Sequence, residues 1–72
     1  MSYTVYSKPS CGYCRLAKLF LESQKIEYTE IDVSSDKRAL DFLKGKGFRT
    51  VPQIYSDEEY IGGYEDLIKT FE

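Results

Sequence analysis

The feature that most constrains this chain is the run Cys11-Gly12-Tyr13-Cys14, which contains the only two cysteines of the sequence. A strand-like run, Tyr3-Thr4-Val5-Tyr6, precedes it, and apolar residues at helical spacing follow it. Two cysteines three positions apart on the first turn of a helix can close a disulfide, or can act in turn as attacking and leaving thiols. We therefore expect a strand–loop–helix unit that presents a thiol pair at its loop.

The size and charge of the chain exclude several classes of protein. Its 72 residues predict a single domain, residues 1–72, near the lower size limit for a chain that folds without staples. The net charge of −2, with both signs mixed along the chain, argues against a nucleic-acid-binding surface. No stretch is apolar and long enough to cross a membrane, and no signal-peptide pattern opens the chain. We expect a cytoplasmic protein.

The compartment and the missing residue types narrow the role of the cysteine pair. In a reducing cytosol a close pair indicates redox or metal chemistry more than a structural disulfide. The sequence has no histidine, so it has no His-based metal site and no Cys-His nucleophile pair. A zinc site would need further ligands from carboxylates or from a second copy. Redox chemistry is the favoured interpretation, with a structural disulfide or two inert thiols as alternatives and no metal site expected.

Periodicity along the chain predicts the order β-α-β-α-β-β-α. The first two strands should be parallel because a helix joins them, and the last two should form an antiparallel hairpin. Glu27 and Glu30 favour an edge position for the second strand. The expected fold is α/β, a four-stranded mixed sheet with helices on both faces.

The predicted strands cover 3–7, 26–31, 53–55 and 59–61. The first helix, 12–24, carries its apolar face at 16, 17, 20 and 21; a second follows the N-cap signal Ser34-Ser35-Asp36, and the third covers 64–71.

The two cysteines should differ in their chemistry. A thiolate is the reactive form of cysteine, and both a helix N-terminus and a nearby cation favour it. Ser10 or Cys11 is the expected N-cap, so backbone N–H groups of the first turn can point at the Cys11 sulfur, and Lys8 lies in the same loop. Cys14 lies one turn into the helix and should be more shielded. We assign Cys11 as the attacking thiolate and Cys14 as the resolving thiol.

Three motifs, in order, resemble those of the glutaredoxin family and together span nearly the whole chain. They are Tyr6-Ser7-Lys8-Pro9-Ser10-Cys11-Gly12-Tyr13-Cys14, Thr50-Val51-Pro52-Gln53-Ile54 and Ile61-Gly62-Gly63-Tyr64-Glu65-Asp66-Leu67. The resemblance implies a thioredoxin-like fold, in agreement with the predicted order of elements. It also implies that the Val51–Pro52 peptide bond is cis and faces the cysteines.

The resemblance further implies a groove for glutathione. Lys8, helped by Arg49, would meet the glycine carboxylate, and the backbone of Val51 would pair with the cysteinyl residue. Tyr13 would line the groove, and the N–H groups of Tyr64 and Glu65 would hold the γ-glutamyl carboxylate. The remaining candidate binding residues are Thr50, Pro52, Gly63 and Asp66. In the alternative interpretation, the two glycines only form a turn, Asp66 only complements a helix dipole, and Lys44, Lys46 and Arg49 form a solvated cationic rim.

The implied activity is glutathione-dependent reduction of protein disulfides and of glutathione mixed disulfides. The partners would be glutathione and disulfide-containing or glutathionylated proteins, with ribonucleotide reductase as one candidate, and we expect a monomer. Gly12 stands where glutaredoxins usually have Pro, and it resembles the members that bridge an iron–sulfur (2Fe-2S) cluster between two protomers with glutathione. A second alternative is a ribonucleotide-reductase electron donor reduced by thioredoxin reductase. Those donors carry a Trp-containing run where this chain has Gly62 to Glu65.

Overall fold

The computed structural model of the protein describes residues 2–72. Seven elements follow one another in the predicted order β-α-β-α-β-β-α. They are β1 (Tyr3–Ser7), α1 (Gly12–Ser23), β2 (Tyr28–Asp32), α2 (Lys37–Gly45), β3 (Gln53–Ser56), β4 (Glu59–Gly62) and α3 (Tyr64–Thr70).

The four strands form one mixed sheet in the order β2-β1-β3-β4. β1 pairs with β2 in parallel and with β3 in antiparallel fashion, and β3 and β4 form the predicted antiparallel hairpin. β2 lies at an edge of the sheet, as its glutamates predicted. Because β1 is central and ends at Ser7, it carries the loop with the cysteine pair to the carboxyl end of the sheet.

Alternating side chains of β1 divide the interior into two layers. Tyr3 and Val5 are buried against α1 and α3, in a cluster completed by Ala17, Leu21, Ile54 and Leu67. Tyr6 lies on the opposite face and packs with the α2 cluster of Val33, Ala39 and Leu43. The predicted mixed sheet with helices on both faces is confirmed. Within residues 2–72 no helix combines the length and apolar character that a membrane span requires.

The predicted apolar face of α1 is partly wrong. Leu16 is 44% exposed, whereas Cys14, Ala17 and Leu21 are the buried residues of this helix. Those three positions follow the spacing i, i+3, i+7, and Leu16 lies about 100° around the helix from Ala17. The helix therefore turns the side that begins at Cys14, rather than Leu16, toward the sheet.

The start of β2 was also predicted too early. Lys25 adopts a φ of 58°, and the N–H groups of Lys25 and Ile26 donate to the carbonyls of Glu22 and Leu21, each at 3.0 Å. These bonds satisfy carbonyls of the last helical turn in the pattern of a Schellman motif. Ile26 therefore belongs to the turn that follows α1 and closes its last carbonyls, and the strand begins only at Tyr28.

Candidate active site

Cys11 is the N-cap of α1, one of the two residues predicted for that role. Its backbone is extended, with φ −101° and ψ 110°, and its sulfur accepts a hydrogen bond from the backbone N–H of Cys14 at 3.2 Å. The thiol is partly exposed and donates to the carbonyl of Val51 across a distance of 3.7 Å. The sulfur is thus accessible, lies at a helix N-terminus and faces the segment that precedes Pro52, which suits a nucleophilic thiolate.

Cys14 has the opposite environment one turn further along. Its side chain is 2% exposed. Burial, followed by the hydrogen bond with Cys11, raises the pKa of the Cys14 thiol to about 12. The Cys11 sulfur is therefore accessible and the Cys14 sulfur is shielded, as expected for an attacking Cys11 and a resolving Cys14. The assignment of these two roles stays a prediction.

The Val51–Pro52 peptide bond is cis, as the family resemblance implied. Gln53, which is buried, holds the loop in front of it: its Nε2 donates to the Thr50 carbonyl at 2.9 Å and to the Thr50 hydroxyl at 3.3 Å. The Tyr60 hydroxyl in turn donates to Gln53 Oε1 at 2.6 Å. This role of Gln53 was not predicted; an amide directly after a proline that opens a strand is the signal that could have found it.

Eight of the predicted binding residues line one groove of about 400 Å³. The ring centroids of Tyr13 and Tyr64 lie 5.9 Å apart, so two neighbouring aromatic side chains form part of the wall of the groove. The lining residues are Tyr13, Thr50, Val51, Pro52, Gly63, Tyr64, Glu65 and Asp66.

The two predicted cations, Lys8 and Arg49, line an adjoining cavity of about 570 Å³ that shares Thr50 and Val51 with the groove. Lys44 is a third cation on its wall. Among the side chains of residues 2–72, the one ion pair joins Lys18 to Glu30, so Lys8 and Arg49 are not neutralised by a carboxylate.

The turn between β4 and α3 has a role in folding as well as a place on the groove. Gly62 adopts a φ of 129°, and Gly63 is the N-cap of α3. The Asp66 carboxylate accepts a hydrogen bond from the Gly63 N–H at 3.2 Å. The bond gives Asp66 a capping role at the helix start, and its role in binding stays a prediction.

Comparison with known proteins decides the family. The Glutaredoxin family model matches residues 3–61. The chain belongs to the glutaredoxin family. Glutaredoxin 3 of Escherichia coli (strain K12) is 42% identical over 65 residues, covering 88% of this chain and 77% of that protein. Glutaredoxin 1 of Rickettsia typhi (strain ATCC VR-144 / Wilmington) is 38% identical over 66 residues, covering 88% of this chain and 64% of that protein.

Solved structures agree with the fold of this glutaredoxin. The buckwheat glutaredoxin–glutathione complex matches with a TM-score of 0.82 and 27% identity, over 96% of this chain and 66% of the buckwheat chain, so this chain spans about two thirds of its length. Escherichia coli NrdH-redoxin matches with a TM-score of 0.87 over 100% of this chain and 96% of that protein, at 23% identity. At 23% identity, the likeness to NrdH-redoxin shows a shared fold and nothing more. This glutaredoxin is a thiol–disulfide oxidoreductase of the thioredoxin-fold superfamily, with Cys11 and Cys14 as its cysteine pair.

A polar network beside the cysteine pair was not predicted. The buried Ser7 hydroxyl donates to Glu30 Oε2 at 2.7 Å, and Lys18 Nζ donates to the same oxygen at 2.8 Å. The pKa of Glu30 lies below its usual range because Lys18, and then Ser7, stabilise the carboxylate. The spacing of Lys18, four residues after Cys14, is the signal in the sequence that could have drawn attention to it.

No group of three or more Cys, His, Asp or Glu side chains is arranged as a metal site within residues 2–72. The alternative of an iron–sulfur cluster shared between two protomers stays a prediction.

Proposed function

We propose that this glutaredoxin is a cytoplasmic, monomeric enzyme that uses glutathione to reduce protein disulfides and glutathione mixed disulfides. The observation that carries the proposal is the groove lined by Tyr13, Pro52 and Tyr64, adjacent to the Val51 carbonyl that the Cys11 thiol contacts. A thiol-bearing peptide in that groove would have its sulfur near Cys11 and its ends near groups of suitable charge.

Each part of glutathione would meet a different part of the site. The cysteinyl residue would pair with the backbone of Val51, a one-residue form of strand addition. The glycine carboxylate would reach the cavity of Lys8 and Arg49, and the γ-glutamyl carboxylate would face the start of α3 at Tyr64 and Glu65. The buckwheat relative, solved with glutathione, supports this mode of binding because the family and the fold are shared.

The proposed reaction consists of successive thiol–disulfide exchanges. The Cys11 thiolate attacks the sulfur of a mixed disulfide, a Cys11–S–S bond forms, and the other sulfur leaves as a thiolate that takes a proton. When the substrate is a protein disulfide, Cys14 then attacks Cys11, closing the Cys11–Cys14 disulfide and releasing the reduced protein. Two glutathione molecules return the pair to thiols and become one molecule of glutathione disulfide. When the substrate is a glutathione mixed disulfide, Cys11 keeps the glutathionyl group; the thiolate of one further glutathione attacks that sulfur, which releases Cys11 as a thiolate and forms glutathione disulfide.

The test is turnover of a glutathionylated peptide with glutathione, glutathione reductase and NADPH. Wild type should be active, Cys11→Ser inactive, and Cys14→Ser active on the glutathionylated peptide but not on a protein disulfide. Full activity of Cys11→Ser would overturn the assignment of the nucleophile.

A parallel assay replaces glutathione and its reductase with thioredoxin reductase. Reduction of the Cys11–Cys14 disulfide by thioredoxin reductase and not by glutathione would instead support an electron donor, with ribonucleotide reductase as a candidate acceptor. Arg49 then becomes the discriminating position, since its substitution should matter only for an enzyme that binds the glutathione carboxylate.

A further inference from the structure

A small cavity of about 210 Å³ lies beside the cysteine pair and shares no lining residue with the proposed glutathione groove. Both cysteines border it, and its ionisable residues come from α1, from β2 and from the loop between β1 and α1. Its lining consists of Lys8, Pro9, Ser10, Cys11, Cys14, Arg15, Lys18, Glu30 and Asp32. Nothing in the glutathione reaction proposed above uses this cavity apart from the cysteines and Lys8.

Lys18 is the cation of this cavity that is held in place. It follows Cys14 by four residues on α1, so the two side chains occupy the same face of the helix, one turn apart. Its ammonium donates to Glu30 on β2, and the same carboxylate oxygen is fixed by the buried hydroxyl of Ser7 on β1. A free lysine side chain samples many rotamers, and this anchoring keeps the charge beside Cys14.

The second exchange step needs Cys14 as a thiolate, which a nearby positive charge stabilises. Cys14 is buried and its pKa is raised, yet it must lose its proton before it can attack Cys11. Once Cys11 is bound in a mixed disulfide, its sulfur carries no charge and no longer opposes the Cys14 thiolate. Burial then remains as the main opposing effect. The pKa of Cys14 is lowered by a hydrogen bond with the backbone of Lys8 and, to a smaller extent, by the charge of Lys18, which is the side-chain charge among these groups.

The other charged groups around the cavity are less suited to this role. Lys8 and Arg15 have no hydrogen-bonded anchor for their head groups in the part of the chain that the structure describes, and Asp32 carries the wrong sign. Glu30 also carries a negative charge, but its Oε2 accepts from both Ser7 and Lys18, so it acts with Lys18 as a pair.

We propose that Lys18, anchored by Glu30 and Ser7, is a positioning residue that stabilises the Cys14 thiolate in the second exchange step and has no part in the first. The inference rests on the Cys11–Cys14 exchange of the proposed function but not on glutathione. In that step the Cys14 proton passes to water in the cavity, a bond forms between the Cys14 and Cys11 sulfurs, and the bond from Cys11 to the substrate sulfur breaks. The substrate sulfur leaves with the electron pair of that bond.

The experiment mixes the fully reduced protein with one equivalent of an uncharged, chromogenic dipyridyl disulfide and follows release of thiopyridone by absorbance. Attack by Cys11 releases the first thiopyridone in a bimolecular phase. Attack by Cys14 releases the second in a unimolecular phase, which Cys14→Ser should abolish. Because no glutathione is present, failure of the glutathione assay and failure of the Lys18 inference are separate results.

Lys18→Met should slow the unimolecular phase by about threefold to tenfold at neutral pH, because loss of the positive charge raises the pKa of Cys14 and leaves less of it as thiolate. The rate–pH profile of this phase should move to higher pH, and the bimolecular phase should keep its rate. Lys18→Arg should restore the unimolecular phase because it keeps the charge. Lys69→Met, which removes a lysine in the last turn of α3, is the matched control and should change neither phase.

Three results would overturn the inference. The first is an unchanged unimolecular phase in Lys18→Met. The second is equal slowing of both phases, and the third is equal slowing at every pH, since a purely structural role would produce either of these two patterns.

Discussion

The backbone N–H of Cys14 donates to the sulfur of Cys11 at 3.2 Å, so one turn of helix both stabilises the first sulfur and buries the second. The contact exists because Cys11 is the N-cap and Cys14 the third residue of α1. An N-cap side chain normally satisfies an N–H of the first turn with oxygen, and here sulfur does so. The same geometry turns Cys14 toward the core, where it continues the buried face through Ala17 and Leu21.

The burial of Cys14 predicts that the reduced protein loses stability at high pH. Burial raises the pKa of this thiol from 9.0 to about 12 in the folded protein. The folded state therefore holds the proton more tightly than the unfolded state, and this contribution to stability is complete below pH 9.0 and is lost as the pH rises toward about 12. Urea unfolding of the reduced wild type and of Cys14→Ser, measured across that range, should show the wild type losing stability faster.

The raised pKa of Tyr28, also about 12, acts in the same direction but is common to both proteins and cancels in the comparison. Stability curves that run parallel across the alkaline range would show that the Cys14 thiolate is accommodated in the folded state.

Local patterns were sufficient to predict the order of elements, and the resemblance to glutaredoxins predicted the residues of the groove. Neither predicted the polar contacts that join α1, β1 and β2. The alternation around Val5 and the helical spacing of Ala17 and Leu21 involve residues close in sequence, so both patterns can be recognised from the sequence itself. The bonds from Ser7 and Lys18 to Glu30 span 23 and 12 positions of the sequence, and the first depends on the parallel register of β1 and β2. The cis bond before Pro52 followed from the family resemblance and from no local pattern.

Gly62→Ala should destabilise the protein. Gly62 has a φ of 129°, in a region that side chains disfavour, and a Cβ at this position would come within 2.7 Å of the Asp66 Cβ. The free energy of unfolding should fall by more than about 1 kcal/mol, which corresponds to a drop in Tm of roughly 4–8 °C or more for a chain of this size.

Gly45→Ala is the matched control for that substitution. Gly45 ends α2, and a Cβ there would meet nothing within 4 Å. Alanine in a helix is favoured over glycine by about 0.5–1 kcal/mol, so this variant should melt at the same temperature as wild type or higher. A Gly62→Ala protein as stable as wild type would mean that the β4–α3 turn adapts its backbone.

Lys8→Gln and Arg49→Gln should each raise the KM for glutathione with little change in kcat. Both cations line the cavity beyond Val51 and have no carboxylate partner in the described residues, so they are available to the glycine carboxylate. Each exposed charge contact is worth up to about 1 kcal/mol, which corresponds to a KM increase of about twofold to fivefold. Steady-state kinetics at two ionic strengths measures this effect. Screening by salt should raise the KM of the wild type for glutathione more than the KM of either variant.

Lys69→Gln carries the same charge change outside the cavity and should keep the wild-type KM. An equal effect from Lys69→Gln would show that net charge, rather than the local contact, controls glutathione binding. A fall in kcat with an unchanged KM for Lys8→Gln would place its role at Cys11 instead of at the carboxylate.

Tyr13→Ala should weaken binding of a glutathionylated peptide without destabilising the fold. Tyr13 is 58% exposed on α1 and lines the groove beside the ring of Tyr64, so its ring is available to a bound substrate. Loss of one aromatic contact predicts a KM increase of about threefold to tenfold. Leu19→Ala is the matched control, since Leu19 lies on the same helix with 53% exposure and lines none of the cavities around the cysteine pair. Equal KM values for the two variants would mean that the substrate does not contact Tyr13, and the proposed groove would then have to exclude the α1 side.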